Sequence, residues 1–446
     1  MWRTFLLVTA LLAVPRAAFA QEETSEEEEG KEEQAEETPK PEPELPEPKF
    51  LTPGQLRCLA SASSQREVRE CLPQGGDALV VRAAADFGAY TDTNSVDVLT
   101  PSINGSVSSP TSGWTINGSY TLDVVSAASP DIVSMASPKS YGEKRHAGTL
   151  GGAYKPGTIG VQGGASASVE PDYVSIGGQI AGLVDLADKH VTPRLQYEAR
   201  HDVIGRGGTP FDVFHHTVDS HSLDLSVTFV LSPTTLLLVG GTGGFEKGDQ
   251  SKPYRYIPMF SAGVAPGIRE GTAADSVNAL RLDTRPLEQL PLERWRFATG
   301  ARLAKRMRDS TLRAEERLYT DSWGIRATTT DLRWLVDVGS RFRVWPHLRL
   351  HVQSAATFQR LAYVADVDSR GNLTVPVYRT GDRELGALVT ATIGGGVRFA
   401  ISDPESTTQI GITLQGETMH TRFFDVLYVT SRIAAYGAIG FDLEFR

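Results

Sequence analysis

The last fifteen residues, Arg432 to Arg446, read RIAAYGAIGFDLEFR, and their alternation decides the fold. Ile433, Ala435, Gly437, Ile439, Phe441, Leu443 and Phe445 fall on one face of a period-2 strand, while Arg432, Tyr436, Asp442, Glu444 and Arg446 fall on the other. One face suits hydrocarbon and the other suits water. A membrane tolerates strands only where a closed sheet pairs every backbone group, so a strand divided in this way, with an aromatic next to its end, is of the kind that closes a transmembrane β-barrel.

Working outward, the same alternation recurs. Ile116, Gly118, Tyr120, Leu122 and Val124 oppose Thr115, Asn117, Ser119, Thr121 and Asp123, and Val344, Leu348, Leu350 and Val352 oppose Arg343, His347, Arg349, His351 and Gln353. Strands are expected near 79–90, 95–107, 113–126, 146–155, 157–169, 172–185, 190–203, 217–231, 235–248, 294–306, 310–320, 323–338, 343–358, 386–401, 407–420 and 432–446. The alternation slips in 79–107, and Glu316 interrupts the apolar face of 310–320, so the fold class is an all-β, antiparallel transmembrane barrel of about 16 strands (14–16). Tight connections at Lys155–Gly157, Leu186–Lys189, Ser232–Pro233 and Ser402–Glu405 contrast with long ones at 127–145, 204–216, 249–293 and 359–385. Short turns on one rim and long loops on the other is the outer-membrane arrangement, with a periplasmic N-terminus.

Composition agrees. The chain is 40% hydrophobic with a mean hydropathy of -0.21, and beyond its first residues it holds no apolar run of helical-span length. Residues 1–20 read as a signal peptide, with Arg3, an apolar core from Phe5 to Val14 and Ala18-Phe19-Ala20 before Gln21. Residues 21–48 form a disordered acidic Glu/Pro linker with 13 Glu against Lys31 and Lys40; it holds -11 of the formal -10, the leader holds +2, and residues 49–446 are left at -1. A near-neutral body with no basic patch argues against nucleic acid. Residues 49–76 are expected to be a small, helical or irregular periplasmic segment in which Cys58 and Cys71 form a disulfide, since secretion favours one and no CxxC motif or companion His is present. Residues 77–446 are the expected barrel.

Several stretches resemble an uncharacterised family of Gram-negative outer-membrane β-barrel proteins. They are Tyr90-Thr91-Asp92 with Val96 to Pro101, Leu122 to Pro130 (LDVVSAASP), Glu170 to Tyr173, Pro253 to Pro258 (PYRYIP), Asp321 to Arg326 (DSWGIR) and Tyr378 to Glu384 (YRTGDRE). The resemblance runs from about Tyr90 to the C-terminus. It implies an outer-membrane barrel and no catalytic residues, and a genomic association with flavin-attachment and redox proteins.

On the expected water-facing side Arg is abundant. Arg194, Arg200, Arg302, Arg333, Asp337, Arg343, Arg349, His351 and Arg398 are the candidate pore-lining residues, joined by Arg294, Arg296 and Arg306 and interleaved with Glu198, Asp224 and Asp331. An Arg excess in a water-filled lumen favours anions, whereas the same groups laced into salt bridges would only stiffen a filled barrel. Asp212, His215, His216, Asp219 and His221 could in principle ligate a divalent metal, but their spacing matches no metal motif and a solvated loop explains them. His420, Asp425 and Ser431 flank one loop without a nucleophile motif; Asn104, Asn117 and Asn372 head glycosylation-like triplets that read as ordinary strand and loop residues. Trp295, Tyr319, Trp323, Tyr363, Phe423, Phe424 and Tyr428 fall near expected strand ends, where they suit either the lipid–water boundary or loop packing.

The function these readings support is a passive outer-membrane pore for small, anionic solutes, with no enzyme activity, no metal and no cofactor. A non-transporting scaffold for a surface or redox assembly is the second reading, and a barrel hydrolase the third. Expected partners are outer-membrane lipid, the barrel-assembly machinery, a further copy of the chain, and an unidentified periplasmic partner for the acidic tail.

Overall fold

A computed structural model of the chain describes residues 79–127, 141–367, 373–403 and 406–446. The signal peptide, the acidic linker and the Cys58–Cys71 segment lie outside the described residues.

Sixteen antiparallel strands close into one barrel. In chain order they are β1 Val80–Asp92, β2 Val96–Ser109, β3 Trp114–Ala127, β4 Tyr141–Tyr154, β5 Ile159–Glu170, β6 Tyr173–Val184, β7 Val191–Ile204, β8 His216–Ser232 and β9 Thr235–Gly248, then β11 Glu293–Met307, β12 Ser310–Asp321, β13 Arg326–Val338, β14 Phe342–Gln353, β18 Leu388–Ala400, β19 Thr408–Phe423 and β20 Ser431–Phe445. Closure is made by β20 against β1, with Phe445 opposite Val81 and Ala434 opposite Asp92. Each expected strand is present, the doubtful 310–320 included. The start of the fourth moves out from 146 to Tyr141, and that of the twelfth moves in from 323 to Arg326, because Trp323 and Gly324 belong to a turn.

The barrel is inside-out relative to a soluble protein. Ile433, Phe441, Leu443 and Phe445 of β20 are exposed, Phe441 by 51%, while their polar alternates Arg432 and Glu444 are half-buried on the inner side. That distribution costs free energy in water and gains it in hydrocarbon, so the wall is of outer-membrane type. Tyr154, Trp334, Phe342 and Phe445 stand exposed near the rim that holds the chain ends, and Trp295 and Phe297 stand exposed near the far rim. Of the seven aromatic residues expected at the boundary, Trp295 alone takes that place on a barrel strand. Trp323, Tyr363 and Phe423 are buried, Tyr319 lines the inside and Tyr428 packs in a loop cluster, because long loops fold over those strand ends and remove them from the boundary.

Connections on the rim of the chain ends are all short, from the turn at residues 233–234 to the segment at 401–407. The far rim is mixed: turns at 93–95, 171–172 and 322–325 are tight, whereas 249–292 and 354–387 are long. The two long loops are not loose. They contain β10 Met259–Phe260 parallel to β15 Tyr363–Val364, β16 Asp366–Val367 paired with β17 Leu373–Thr374, and the helix α1 Ala274–Leu280. Ile257, Met259, Tyr363 and Ala365 make one buried cluster; Phe260, Ile268 and Val277 make a second, against Leu361 and Tyr428. Of these, Ile257, Met259, Phe260 and Val277 are with Phe423 the most deeply buried apolar side chains of the described residues, so the soluble-type core of this protein sits in a cap and the barrel carries the membrane-type surface.

Candidate functional site: the barrel interior and its cap

Register places the candidate residues on the inner face. Arg343 stands opposite both Asp337 and Arg398, Arg349 opposite Asp331, His351 opposite Thr329, and Arg302 beside Glu315 in the β11–β12 ladder. Because side chains alternate strictly across a strand, fixing one such pair fixes the whole face.

Most of these groups are paired. Asp337 accepts from Arg306 Nη1 and Arg343 Nε, each at 2.6 Å; Arg302 Nε donates to Glu315 Oε2 at 2.7 Å; Arg398 Nη2 donates to Asp442 Oδ2 at 2.6 Å; and Arg200 Nη2 donates to Glu198 Oε1 at 2.7 Å. Arg333 lies 3.4 Å from Asp331, while Arg194 reaches the amides of Gln162 and Gln196. His347, which is buried, bridges strands that do not touch: its Nδ1 is 2.8 Å from Glu417 on β19 and its Nε2 2.9 Å from Asp331 on β13. Both partners accept, so the imidazole donates from both nitrogens. The strut passes over β18 at Gly394, where an added Cβ would meet Glu417 Cα at 2.7 Å. Arg317 and Arg349 differ from the rest: among the described residues no hydrogen bond or ion pair fixes either. Asp331, opposite Arg349, is already engaged by His347 and Arg333.

Sequence reasoning missed Arg317, although its alternation with Glu316 held the signal: reading β12 from Glu315 puts Arg313, Glu315 and Arg317 inside and Glu316 outside. Glu316 faces outward and accepts from the Thr328 and Thr330 hydroxyls, the latter at 2.5 Å.

The facing wall is chemically different. On β2 to β7 the inner positions at mid-height are Asn104, Ser106, Asn117, Ser119, Gln162, Ser166, Gln179 and Gln196, with charge confined to the strand ends and to β7. Ser119 and Thr149 hydroxyls lie 2.6 Å apart, and Gln196 Nε2 donates to Gln179 Oε1 at 3.0 Å.

Above the lumen, three of the stretches quoted for the family resemblance meet. Arg255 of PYRYIP donates to Glu288 Oε1 at 2.9 Å and lies 3.1 Å from Asp382 of YRTGDRE; Thr380 Oγ1 donates to Glu288 Oε1 at 2.6 Å, and the Lys252 amide donates to Glu288 Oε2 at 2.9 Å. Burial pushes the Asp382 carboxyl up, but the Arg255 guanidinium, the Glu384 amide and the Lys252 ammonium together outweigh it and hold it at about 2. Burial likewise depresses Arg255, yet Glu288 and Asp382 together keep its guanidinium more firmly protonated than usual. Glu384 goes the other way, burial raising it against the pull of Arg432 and Arg383. In DSWGIR, Asp321 Oδ1 accepts from the Trp323 and Ile325 amides at 3.0 and 2.9 Å, and Gly324 takes a φ of 89°, which a side chain would resist. That turn drives Trp323 into the cluster of Leu290, Ile325, Ala356 and Leu385.

The cap spans the far mouth, being tied to both sides. Arg206 Nη2 donates to the Pro253 carbonyl and His216 lies 3.3 Å from Asp249 on one side; on the other, Gln353 Nε2 donates to the Glu384 and Gly386 carbonyls, Arg432 Nη1 donates to Glu384 at 3.1 Å, and Arg422 pairs with Glu270.

The metal-like cluster does not assemble. His215 Nδ1 bonds the Phe211 carbonyl, His216 faces Asp249, His221 bonds Tyr197 and Asp219 bonds His201, so each imidazole has a separate partner. His420, Asp425 and Ser431 share no hydrogen bond among the described residues, His420 lying on the outer face of β19.

Comparison with known proteins adds the family. The model of the family described as "Protein of unknown function (DUF3570)" matches residues 79–408. No curated protein matches the chain. Among solved structures it is similar to the siderophore receptor PirA from Pseudomonas aeruginosa, at 12% identity over 82% of this chain and 61% of that one with a TM-score of 0.39. It is also similar to P. aeruginosa OccK5 (OpdH), at 8% identity over 82% and 98% with a TM-score of 0.37, and to the P. putida toluene transporter TodX, at 8% over 82% and 88% with a TM-score of 0.33. The chain thus spans about 61% of the length of the PirA receptor, and at these values the likenesses carry nothing about cargo. With its match running through all but the last two barrel strands, this barrel belongs to the DUF3570 family of proteins of unknown function.

Proposed function

We propose that the protein is a passive outer-membrane pore for small anionic solutes, its N-terminal tether in the periplasm and its capped rim outward. One observation carries this reading: Arg317 and Arg349 line the interior without an ion pair or hydrogen bond among the described residues, and His351 stands beside them, so two guanidiniums on this part of the wall face the lumen with no carboxylate fixed against them. Rings or walls of one charge set the selectivity of a water-filled pore. In this reading Arg194, Arg200, Arg302, Arg333, Asp337, Arg343 and Arg398 shape the wall through their mutual pairs, and Arg317 with Arg349 and His351 supplies the selectivity. The cap narrows entry from outside.

The test is single-channel recording of the purified full chain in a planar bilayer under a salt gradient. Discrete steps reversing on the anion side are expected, and Arg317→Gln with Arg349→Gln should move the reversal potential toward zero without abolishing the steps. Reversal on the cation side would refute the anion preference, and a silent bilayer with folded, heat-modifiable protein would refute the pore. The silent result would favour the scaffold reading, which draws its support from the cap: loops with two apolar cores offer a rigid outer surface of the sort that binds partners.

A further inference from the structure

We infer that the solute is an anion that also carries several hydroxyl groups, such as a sugar acid or hydroxy-dicarboxylate, and that it is held between two chemically distinct walls. This rests on the pore reading above and deepens it. The first wall, on β12 to β14, holds Arg317, Arg349 and His351. The second, on β2 to β7, presents Asn104, Asn117, Ser119, Gln162, Gln179 and Gln196 from the other side of the sixteen-stranded ring.

Four features set the second wall apart from an ordinary polar lining. On β2 to β6 it is free of charge at mid-height, Glu198 and Arg200 of β7 bounding it at one edge, although the same strands carry Asp123, Arg145, Glu143 and Glu170 toward the far rim. Its groups are amides and hydroxyls, which both donate and accept, as a sugar hydroxyl does. Asn104 and Gln179 are exposed while facing inward, so part of this wall is open to a solute. Gln179 and Gln196 are tied to one another, and Gln196 and Gln162 to Arg194, so the amides are aligned before a solute arrives. A bare inorganic anion would use the guanidinium wall alone. An apolar carboxylate would leave the amide wall facing methylene groups, with its hydrogen bonds to water lost and none gained. An anion bearing hydroxyls finds partners on both walls as it passes between them.

The experiment compares glucarate with adipate, two six-carbon dicarboxylates that differ in their hydroxyl groups, by liposome swelling and by reversal potential on the full-length protein. Since a site built for hydroxyls discriminates against an analogue that lacks them, glucarate is expected to pass about fivefold faster or more, at about 1 kcal/mol per net hydrogen bond. Asn104→Leu with Gln179→Leu should collapse that ratio toward one while leaving chloride selectivity in place. Arg317→Gln with Arg349→Gln should slow both solutes together. An anion-selective channel that passes the two at equal rates would overturn the inference and leave the pore standing. A silent bilayer would overturn the pore, and glucarate and adipate binding to the micelle-folded protein by calorimetry then decides: tighter glucarate binding, lost in the Asn104/Gln179 double variant, upholds the two-walled site, and equal or absent binding refutes it.

Discussion

Replacing Glu288 with Ala should melt the cap and spare the barrel. Glu288 is 3% exposed and accepts from Arg255, Thr380 and the Lys252 amide at 2.9, 2.6 and 2.9 Å. Removal strands a buried guanidinium with Asp382 as its one remaining carboxylate partner and leaves a hydroxyl and an amide unsatisfied. Breaking a buried pair in this way costs about 3–5 kcal/mol, more than a cap tied to the wall by a few polar contacts can absorb. The barrel ladder is continuous without the cap, so the loss is local. Limited proteolysis and hydrogen exchange over 249–292 and 354–387 read it directly: both should become labile in Glu288→Ala, while heat-modifiable migration of the barrel stays as in the wild type. The pH dependence has a defined sign. Asp382 is held near 2, below its ordinary value, so its contribution is present above that ordinary value and is lost as pH falls toward 2. Glu384 is raised, so its contribution has the opposite sense, full below the ordinary carboxylate value and lost as pH rises through its folded one. Cap protection in the wild type should therefore fall on acidification towards pH 2, and that acid limb should disappear in Asp382→Asn. Unchanged cap protection in Glu288→Ala would refute the claim that the buried network holds the loops together.

Two further outcomes follow from the wall. Gly394→Ala drives its Cβ into the Gly416 carbonyl and into Glu417, pushing Glu417 away from His347, so it should destabilise the barrel by about 1–3 kcal/mol, read as a lower urea midpoint of unfolding in lipid vesicles; a neutral result would mean that β19 and the strut over β18 have slack. Glu316 sits on the outer face four residues along β12 from Leu312, the partner of Trp334, and four from Thr320, the partner of Phe297, which is midway between the aromatic girdles. A lipid-facing carboxylate at that depth is costly, so Glu316→Leu should stabilise the barrel by about 1–2 kcal/mol in the same assay, and a loss of stability would show that this patch does not face lipid.

The cap explains why three short stretches of sequence carry so distinct a pattern without any strand periodicity. Tyr378 to Glu384 and Pro253 to Pro258 supply opposite halves of one buried network, and Asp321 to Arg326 supplies the turn that packs Trp323 beneath it. Each stretch alone reads as a polar loop.

What the sequence determined by itself is the barrel. Period-2 alternation is a property of each strand separately, and a one-residue slip would carry the whole of Phe441, Leu443 and Phe445 to the wrong face, so β20 and most strands before it could be placed, and sided, without knowing their neighbours, the exceptions being 79–107, where the alternation slips, and 310–320, where Glu316 interrupts it. The sidedness of Arg194, Arg302, Arg333, Arg343, Arg349 and Arg398 followed from it. Tertiary structure alone decided which of those arginines are neutralised and which are not, because the partners lie on other strands: Arg398 finds Asp442 44 residues away, and His347 reaches Glu417 70 residues away across an intervening strand. It also decided that Tyr363, Trp323 and Phe423 are core and not girdle. Thr380 and Glu288 are 92 residues apart, and nothing local in either loop records that the two will close over the mouth together. Alternation is written in neighbouring residues, whereas charge pairing and loop packing are set by the ring that brings distant strands side by side.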